Sequence, residues 1–341
     1  MSTAALEELI RHEIHLRGPV PFAWFMEQAL YHPDYGYYSS DSAAIGRSGD
    51  YFTNVSVGPL FGQLLALQFA EIWERMERIG NFTIVEQGAH HGEFARDVLE
   101  ALEQRHPQFL AALRYRIIEP FPKLQDRQFQ TLREFGDSVQ WRKSFDELEA
   151  FVGIHFSNEL LDAMPINLRR KLVDLDGNKF VFIDSSADQI VNQSQLDWID
   201  RVSASLGRGF VVAIDYGFAR TEFREVLNVR VRHRQLDSPF EEIGEADITA
   251  HINWTDIAEA AEKKGLRVTG FTDQHHFLTG IISAFPEIAV EEKSRRALQT
   301  LVHPEMLGRS FQVLALEKDV DFAVPLNGFI FGCDARKSLG L

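Results

Sequence analysis

The stretch IVEQGAHHGEFARDVLEAL, residues 84–102, runs from an apolar strand through a glycine turn into a helix. Phe82, Ile84 and Val85 make a short apolar strand that ends in an acid, Glu86, and a turn bounded by Gly88 and Gly92 follows at once. Beyond the turn, Phe94, Val98, Leu99 and Leu102 recur at the spacing of one helical face. A strand, a tight glycine turn and a helix in that order let bare backbone approach a ligand, while the helix N-terminus offers N–H groups to a negative charge.

Downstream the alternation continues. Tyr115–Glu119 reads as a second strand and Leu124–Phe135 as its helix; Val139–Trp141, Gly153–Ser157 and the very apolar Gly209–Asp215 read as further strands. Asn253–Lys264 is an amphipathic helix closed by Gly265, and Ser310–Leu316 a terminal strand. Strands alternating with helices imply an α/β fold, a mostly parallel sheet covered on both faces, with ligands bound at the carboxyl ends of the strands. Glu86 and Glu119 stand at two such ends. An acid at the second can accept hydrogen bonds from both hydroxyls of a ribose. Glu86 disfavours a pyrophosphate and suits a cationic amine, so S-adenosyl-L-methionine fits better than a dinucleotide. An ordinary tight turn is the alternative for the glycine pair taken alone.

Upstream, Ala4–Leu16 and a segment from Pro21 carrying Phe22, Phe25, Met26 and Leu30 read as helices, and Phe61–Ile79 as a third. Between them lies a long loop, residues 32–54, whose Tyr35, Tyr37, Tyr38 and Tyr51 predict packing rather than disorder. Lys171–Leu175 and Lys179–Ile183 form a strand pair turning at Asp176-Gly177, followed by a polar helix. These shifts divide the chain into N-terminal helices and lid loop (1–80), a cofactor-binding core (81–165), an inserted strand pair and helix (166–208), the remaining sheet with substrate-side segments (209–318) and a tail (319–341). Residues 233–251 are acidic and either receive a basic substrate segment or form solvated surface.

With 35 Lys+Arg against 50 Asp+Glu, the net charge of −15 argues against a main role in gripping nucleic acid or an anionic membrane. The single cysteine, Cys333, can form neither an internal disulfide nor a thiolate metal cage. His90-His91 and His275-His276 do not read as metal ligands, because adjacent side chains rarely converge on one ion and no acid pattern completes a site. No run approaches the ~20 apolar residues of a membrane span. Glu7, Glu8 and Glu13 fit neither a secretory signal nor a transit peptide. The expectation is a soluble cytoplasmic protein with no nucleic-acid partner and no membrane insertion.

Glu86-x-Gly88-x-x-x-Gly92, GDYFTNVSVGPLFG (49–62), SNELLDAMP (157–165), IDYG (214–217), DITAHINW (247–254) and HPEMLGRSFQVL (303–314) occur in the order seen in the MidA-like methyltransferases. ALYHPDYGYY (29–38) also resembles that family's N-terminal signature. These are class I S-adenosyl-L-methionine enzymes that include the mitochondrial complex I assembly factor. The resemblance implies a Rossmann-like class I methyltransferase sheet with an N-terminal helical extension and an inserted substrate-side region. It also implies S-adenosyl-L-methionine as cofactor, methylation of a protein arginine, and a respiratory complex I subunit as acceptor. Gly49, Asp50 and Thr53 would lie in a loop over the cofactor or substrate mouth. The family's Gly-Pro-Gly-Arg-Gly is here Gly88-Ala89-His90-His91-Gly92, and its Thr-Ser-Pro-Glu is Thr53-Asn54-Val55-Ser56. If the turn needs a positive φ at its centre, His90 is strained or crowding there.

Asn158, Glu159 and Asp162 follow the strand 153–156 and so stand at the sheet's carboxyl edge. An arginine acceptor is protonated in water, with a pKa above ~12, so carboxylates must fix its plane and orient a nitrogen lone pair. Glu159 backed by Asp162 suits that task; the plainer alternative makes Asp162 a helix N-cap and Glu159 a surface acid. The expected cofactor residues are Glu86, Gly88, His90, Gly92, Glu119, Gly49, Asp50 and Thr53, and the expected catalytic residues Asn158, Glu159 and Asp162. A catalytically silent assembly partner and a small-molecule methyltransferase are the other readings of the same sequence.

Overall fold

The alternation read from residue 82 onward builds one sheet. Its main strands are β1 (Phe82–Gln87), β2 (Leu113–Ile118), β3 (Val139–Arg142), β4 (Phe151–Asn158), β5 (Leu206–Phe218), β6 (Arg267–Asp273) and β7 (Phe311–Lys318), and the two-residue strand Ile252–Asn253 pairs parallel with the end of β5. In this computed structural model, which describes residues 2–39, 53–232, 234–289 and 294–341, the strand order is β3-β2-β1-β4-β5-β7-β6. β1 through β5 run parallel, and β7 enters antiparallel between β5 and β6. Order reverses at β1, which has β2 on one side and β4 on the other, and such a switch point opens a crevice at the strands' carboxyl ends.

The chain forms two compact units. One comprises residues 54–160, 198–223 and 252–341 and carries this sheet; the other comprises residues 1–53, 161–197 and 224–251. In the sheet unit, β5 is buried from Phe210 through Asp215, as expected for a strand covered on both faces. Phe94 stacks on Phe156 at 4.5 Å, and Phe69 meets the same ring edge-on at 5.5 Å, so helices Leu60–Arg75 and Glu93–Arg105 lock onto β4 through aromatic contacts. The two helices touch closely: a Cβ on Gly62 would lie 2.6 Å from the Asp97 Cβ. Residues beyond 319 also pack here, with Leu326, Phe329 and Leu339 buried and Glu71 accepting from the Asn327 N–H.

The second unit packs helices Ser2–Arg17 and Phe22–Tyr31 with two small sheets. The expected strand pair is Lys171–Asp176 with Lys179–Asp184, and Val20–Pro21 adds to its edge. Leu227–Val231 pairs with Arg234–Gln235 on one side and Asp247–Ala250 on the other. Leu6, Ile10 and Ile14, the apolar stripe of the first helix, join Phe22, Phe25, Val173 and Ile248 in one core.

Three readings change. The third helix ends at Arg75 rather than residue 79, because Glu77 and Arg78 adopt left-handed backbone, φ 66° and 55°, which a helix cannot continue through. Within the acidic run, Asp247–Ala250 is a buried strand rather than solvated surface. No helix begins at Asp162 among the described residues, so it is no N-cap.

Candidate active site

Residues 86–92 carry the strand end, the turn and the helix start. Gly88, His90 and Gly92 all take positive φ, at 83°, 47° and 84°. Alternating left-handed residues coil the backbone tightly, and both glycines are closely walled. A Cβ on Gly88 would lie 3.3 Å from Leu160 Cδ1, and one on Gly92 would lie 3.2 Å from Leu132 Cδ1. His90 therefore occupies a conformation that L side chains disfavour by roughly 1–2 kcal/mol, although histidine tolerates it better than branched residues. Its ring stacks on His91 at 3.7 Å, and burial, followed by the charges of His91 and Arg127, lowers its pKa to about 3. The imidazole is neutral at pH 7.

Glu86 is buried, and its Oε2 accepts a 2.7 Å hydrogen bond from the Tyr115 hydroxyl on β2. Burial raises its pKa to about 8, against the lowering effect of that hydrogen bond. Glu119 directly follows β2, and its N–H donates to the Arg142 carbonyl at 2.9 Å. Its Oε1 accepts from the Phe121 N–H at 3.0 Å and its Oε2 from Gln128 Nε2 at 3.0 Å; burial raises it to about 7. Two buried carboxyls at adjacent strand ends, with a glycine cradle between them, fit a ligand that brings an amine at one end and a hydroxylated sugar at the other.

Donor atoms of His90, His91 and Glu93 lie within 4.8 Å of one another, so an acid does join the histidine pair. Arg127 opposes a cation there: its NH1 lies 3.2 Å from His91 Nε2, which accepts from it. The other pair, His275-His276, is tied to backbone and cap, through the Val302 carbonyl and Asp273.

At the end of β4, Glu159 also takes left-handed backbone, φ 51°. Its Oε1 accepts from the Asn54 N–H at 3.1 Å and from Asn158 Nδ2 at 2.9 Å, and the Asn54 side chain donates to Asn158 Oδ1 at 3.0 Å. Asn54 Oδ1 in turn accepts from the buried Gln274 amide at 2.8 Å. Asp215, at the adjacent strand of β5, holds the turn after Glu159 by accepting from the Leu160 N–H at 3.0 Å. Because Leu160 also walls Gly88, the β4 turn and the β1 turn form one continuous surface of the sheet unit.

The remaining expected residues fall outside the sheet unit or outside the described residues. Asp162 belongs to the second unit, where it is buried and its carbonyl accepts from the Ala250 N–H at 2.8 Å. Thr53 also belongs to that unit, and Gly49 and Asp50 lie outside the described residues. Sequence reasoning missed Gln128, Tyr115, Asn54 and Gln274; all four are polar side chains whose burial alone marks them, and nothing in their spacing does.

The family model "Putative S-adenosyl-L-methionine-dependent methyltransferase" matches residues 64–185 and 179–272, more than half of the chain. The chain is 24% identical to the mitochondrial protein arginine methyltransferase NDUFAF7 homolog of Drosophila melanogaster, over 92% of this chain and 84% of that one. Against human mitochondrial protein arginine methyltransferase NDUFAF7 the identity is 22%, with 90% and 83% covered. A Burkholderia thailandensis protein solved bound to S-adenosyl-homocysteine superposes with a TM-score of 0.87 at 28% identity, over 98% of this chain and 97% of that one. Among the described residues no helix is long and apolar enough to cross a membrane. The sheet order, the turn after β1 and these matches together make the chain a member of the S-adenosyl-L-methionine-dependent methyltransferase family, with S-adenosyl-L-methionine as its cofactor.

Proposed function

We propose that this methyltransferase acts on an arginine side chain of a protein, of the respiratory complex I subunit type. The observation that carries the reading is the fixed carboxylate of Glu159, held at a strand end by the Asn54 N–H and the Asn158 amide. The names of the similar Drosophila and human proteins, both protein arginine methyltransferases, support the arginine acceptor. Glu86, Gly88, His90, Gly92 and Glu119 would hold the cofactor. Bound S-adenosyl-L-methionine supplies a methyl group on a sulfonium, an electrophile whose leaving group is a neutral thioether.

Glu159 would pair with two N–H groups of the guanidinium, hold its plane still and turn one nitrogen's lone pair outward. Alignment of this kind is the main contribution a protein makes to an in-line displacement. As the new N–C bond forms, the guanidinium gives up a proton, and the Glu159 carboxylate is the base at hand. Restraint by Asn54 and Asn158 keeps the carboxylate oriented before the acceptor arrives, so less order is lost on binding.

The test is incubation of the enzyme with methyl-labelled S-adenosyl-L-methionine and extract from a deletion strain, followed by acid hydrolysis. Labelled methylarginine is the expected product, and Glu159→Gln should lower kcat by roughly 100-fold while leaving cofactor affinity within about twofold. Label that survives protease treatment in a small molecule would overturn the protein acceptor. A catalytically silent relative is the second reading, favoured by the imidazole that His90 places in the turn; it predicts no labelled product at all.

A further inference from the structure

We infer that Gln128 is a positioning residue that locks the cofactor turn to the ribose-side acid Glu119, and that the Trp141 indole fixes its orientation. The inference rests on the S-adenosyl-L-methionine reading of the turn and names a component of that site outside the sequence motifs.

Gln128 lies in the helix Pro122–Leu132 and is fully buried. Its Nε2 donates to the His90 carbonyl at 2.8 Å and to Glu119 Oε2 at 3.0 Å. Its Oε1 accepts from Trp141 Nε1 at 2.8 Å. An indole N–H can only donate, so the amide oxygen must face Trp141 and both amide hydrogens must face the turn and the acid. The usual ambiguity of an amide's two ends is thereby removed by chemistry.

The three partners come from three different segments. His90 follows β1, Glu119 follows β2, and Trp141 lies within β3. One side chain thus joins consecutive strand ends on the side of the sheet where the ribose acid stands. The helix backbone is also pressed against the turn, since a Cβ on Gly92 would lie 3.5 Å from the Gln128 Cα. With Phe121 N–H on Oε1 and Gln128 on Oε2, the Glu119 carboxylate has a set plane, and each oxygen keeps lone-pair capacity for a hydroxyl donor. The ligand chemistry that matches is a vicinal diol.

Electrostatics gives the proposal a distinctive signature. Burial raises Glu119, and the hydrogen bonds from Phe121 and Gln128 hold it down. Loss of Gln128 therefore pushes Glu119 further up, so that less of it is ionised at neutral pH. A residue that merely fills space would not move that ionisation.

The experiment is titration calorimetry of S-adenosyl-homocysteine, and of its 2′-deoxy analogue, with wild type, Gln128→Leu and Trp141→Phe between pH 6 and 9. Gln128→Leu should weaken S-adenosyl-homocysteine roughly tenfold at pH 7, shift the midpoint of its pH profile upward, and shrink the difference between the two ligands. Trp141→Phe should act in the same direction but less, and the double variant should be no worse than Gln128→Leu alone. Equal weakening of both ligands with an unmoved pH midpoint would overturn the inference and leave a packing role. Unchanged affinity in Gln128→Leu, with wild type binding normally, would overturn the inference alone. Failure of wild type to bind S-adenosyl-homocysteine would overturn the cofactor reading and the inference with it. Should Gln128→Leu not fold, Trp141→Phe, which keeps the aromatic bulk and removes only the N–H, carries the same comparison.

Discussion

A carboxyl group buried at the end of β1 ionises near pH 8 because burial disfavours its charge more than the Tyr115 hydroxyl favours it. At pH 7 it is about nine-tenths protonated, and Glu119, titrating near 7, is about half protonated. A cofactor bearing an ammonium and a sulfonium favours the ionised acids, so binding should expel protons: about 0.9 from Glu86 and up to about 0.5 from Glu119. Calorimetry of S-adenosyl-L-methionine binding at pH 7 in buffers of different ionisation enthalpy measures this directly, and release should vanish toward pH 9. Tyr115→Phe removes the bond that favours the carboxylate, so it should weaken cofactor binding roughly tenfold at pH 7. Binding without proton release would contradict the role given to Glu86. Both acids were legible in the sequence because each ends an apolar strand. Gln128 was not, since one glutamine among the polar residues of PKLQDRQFQTL reads as surface until the fold buries it. The strain at His90 was legible as a condition, and its φ of 47° meets that condition.

Strand β4 carries His155 into the interior, where neither ring nitrogen has a hydrogen-bond partner among the described residues. Phe145 stacks on the imidazole at 5.8 Å and Trp198 meets it edge-on at 5.6 Å, so the ring is held as an aromatic filler. Burial lowers its pKa to about 3. The unfolded chain takes up a proton at about pH 6.5 that the folded chain refuses, so this residue's contribution is complete above pH 6.5 and is lost as pH falls toward 3. Relative to a His155→Phe variant, wild type should lose about 2 kcal/mol of stability between pH 7.5 and 5. Urea midpoints of both proteins at the two pH values provide the check, and parallel shifts would refute it. The element pattern was mostly readable from alternation, but β6 was missed. Its sequence RVTGFTD is short and half polar, and it gains strand character only by pairing with β7. Asp247–Ala250 was obscured in a similar way, because exposed Glu241 and Glu242 dominate the composition of the run that hides it.

A net charge of −15 sets the long-range field in which a cationic acceptor approaches. Under the arginine proposal, KM for a basic peptide should rise several-fold between 50 and 300 mM salt, because charges separated by more than about 10 Å are screened at 0.1 M. Affinity for S-adenosyl-homocysteine, which the proposal places at the buried acids Glu86 and Glu119, should change by less than about twofold over the same range. A salt-independent KM would count against electrostatic capture of the acceptor. The division into two units was the least legible feature, since each is assembled from three separated segments and composition along the chain marks none of their borders.

That interleaving has a consequence during synthesis. Leu6, Ile10 and Ile14 share a core with Ile248 and Ala250, so the first helix to leave the ribosome waits for the arrival of residues near 250. At bacterial to eukaryotic translation speeds the wait is roughly 10–50 s. For that interval the apolar stripe has only part of its final cover, from Phe22, Phe25 and later Val173, and a message truncated before this point yields a product that cannot complete the second unit's core.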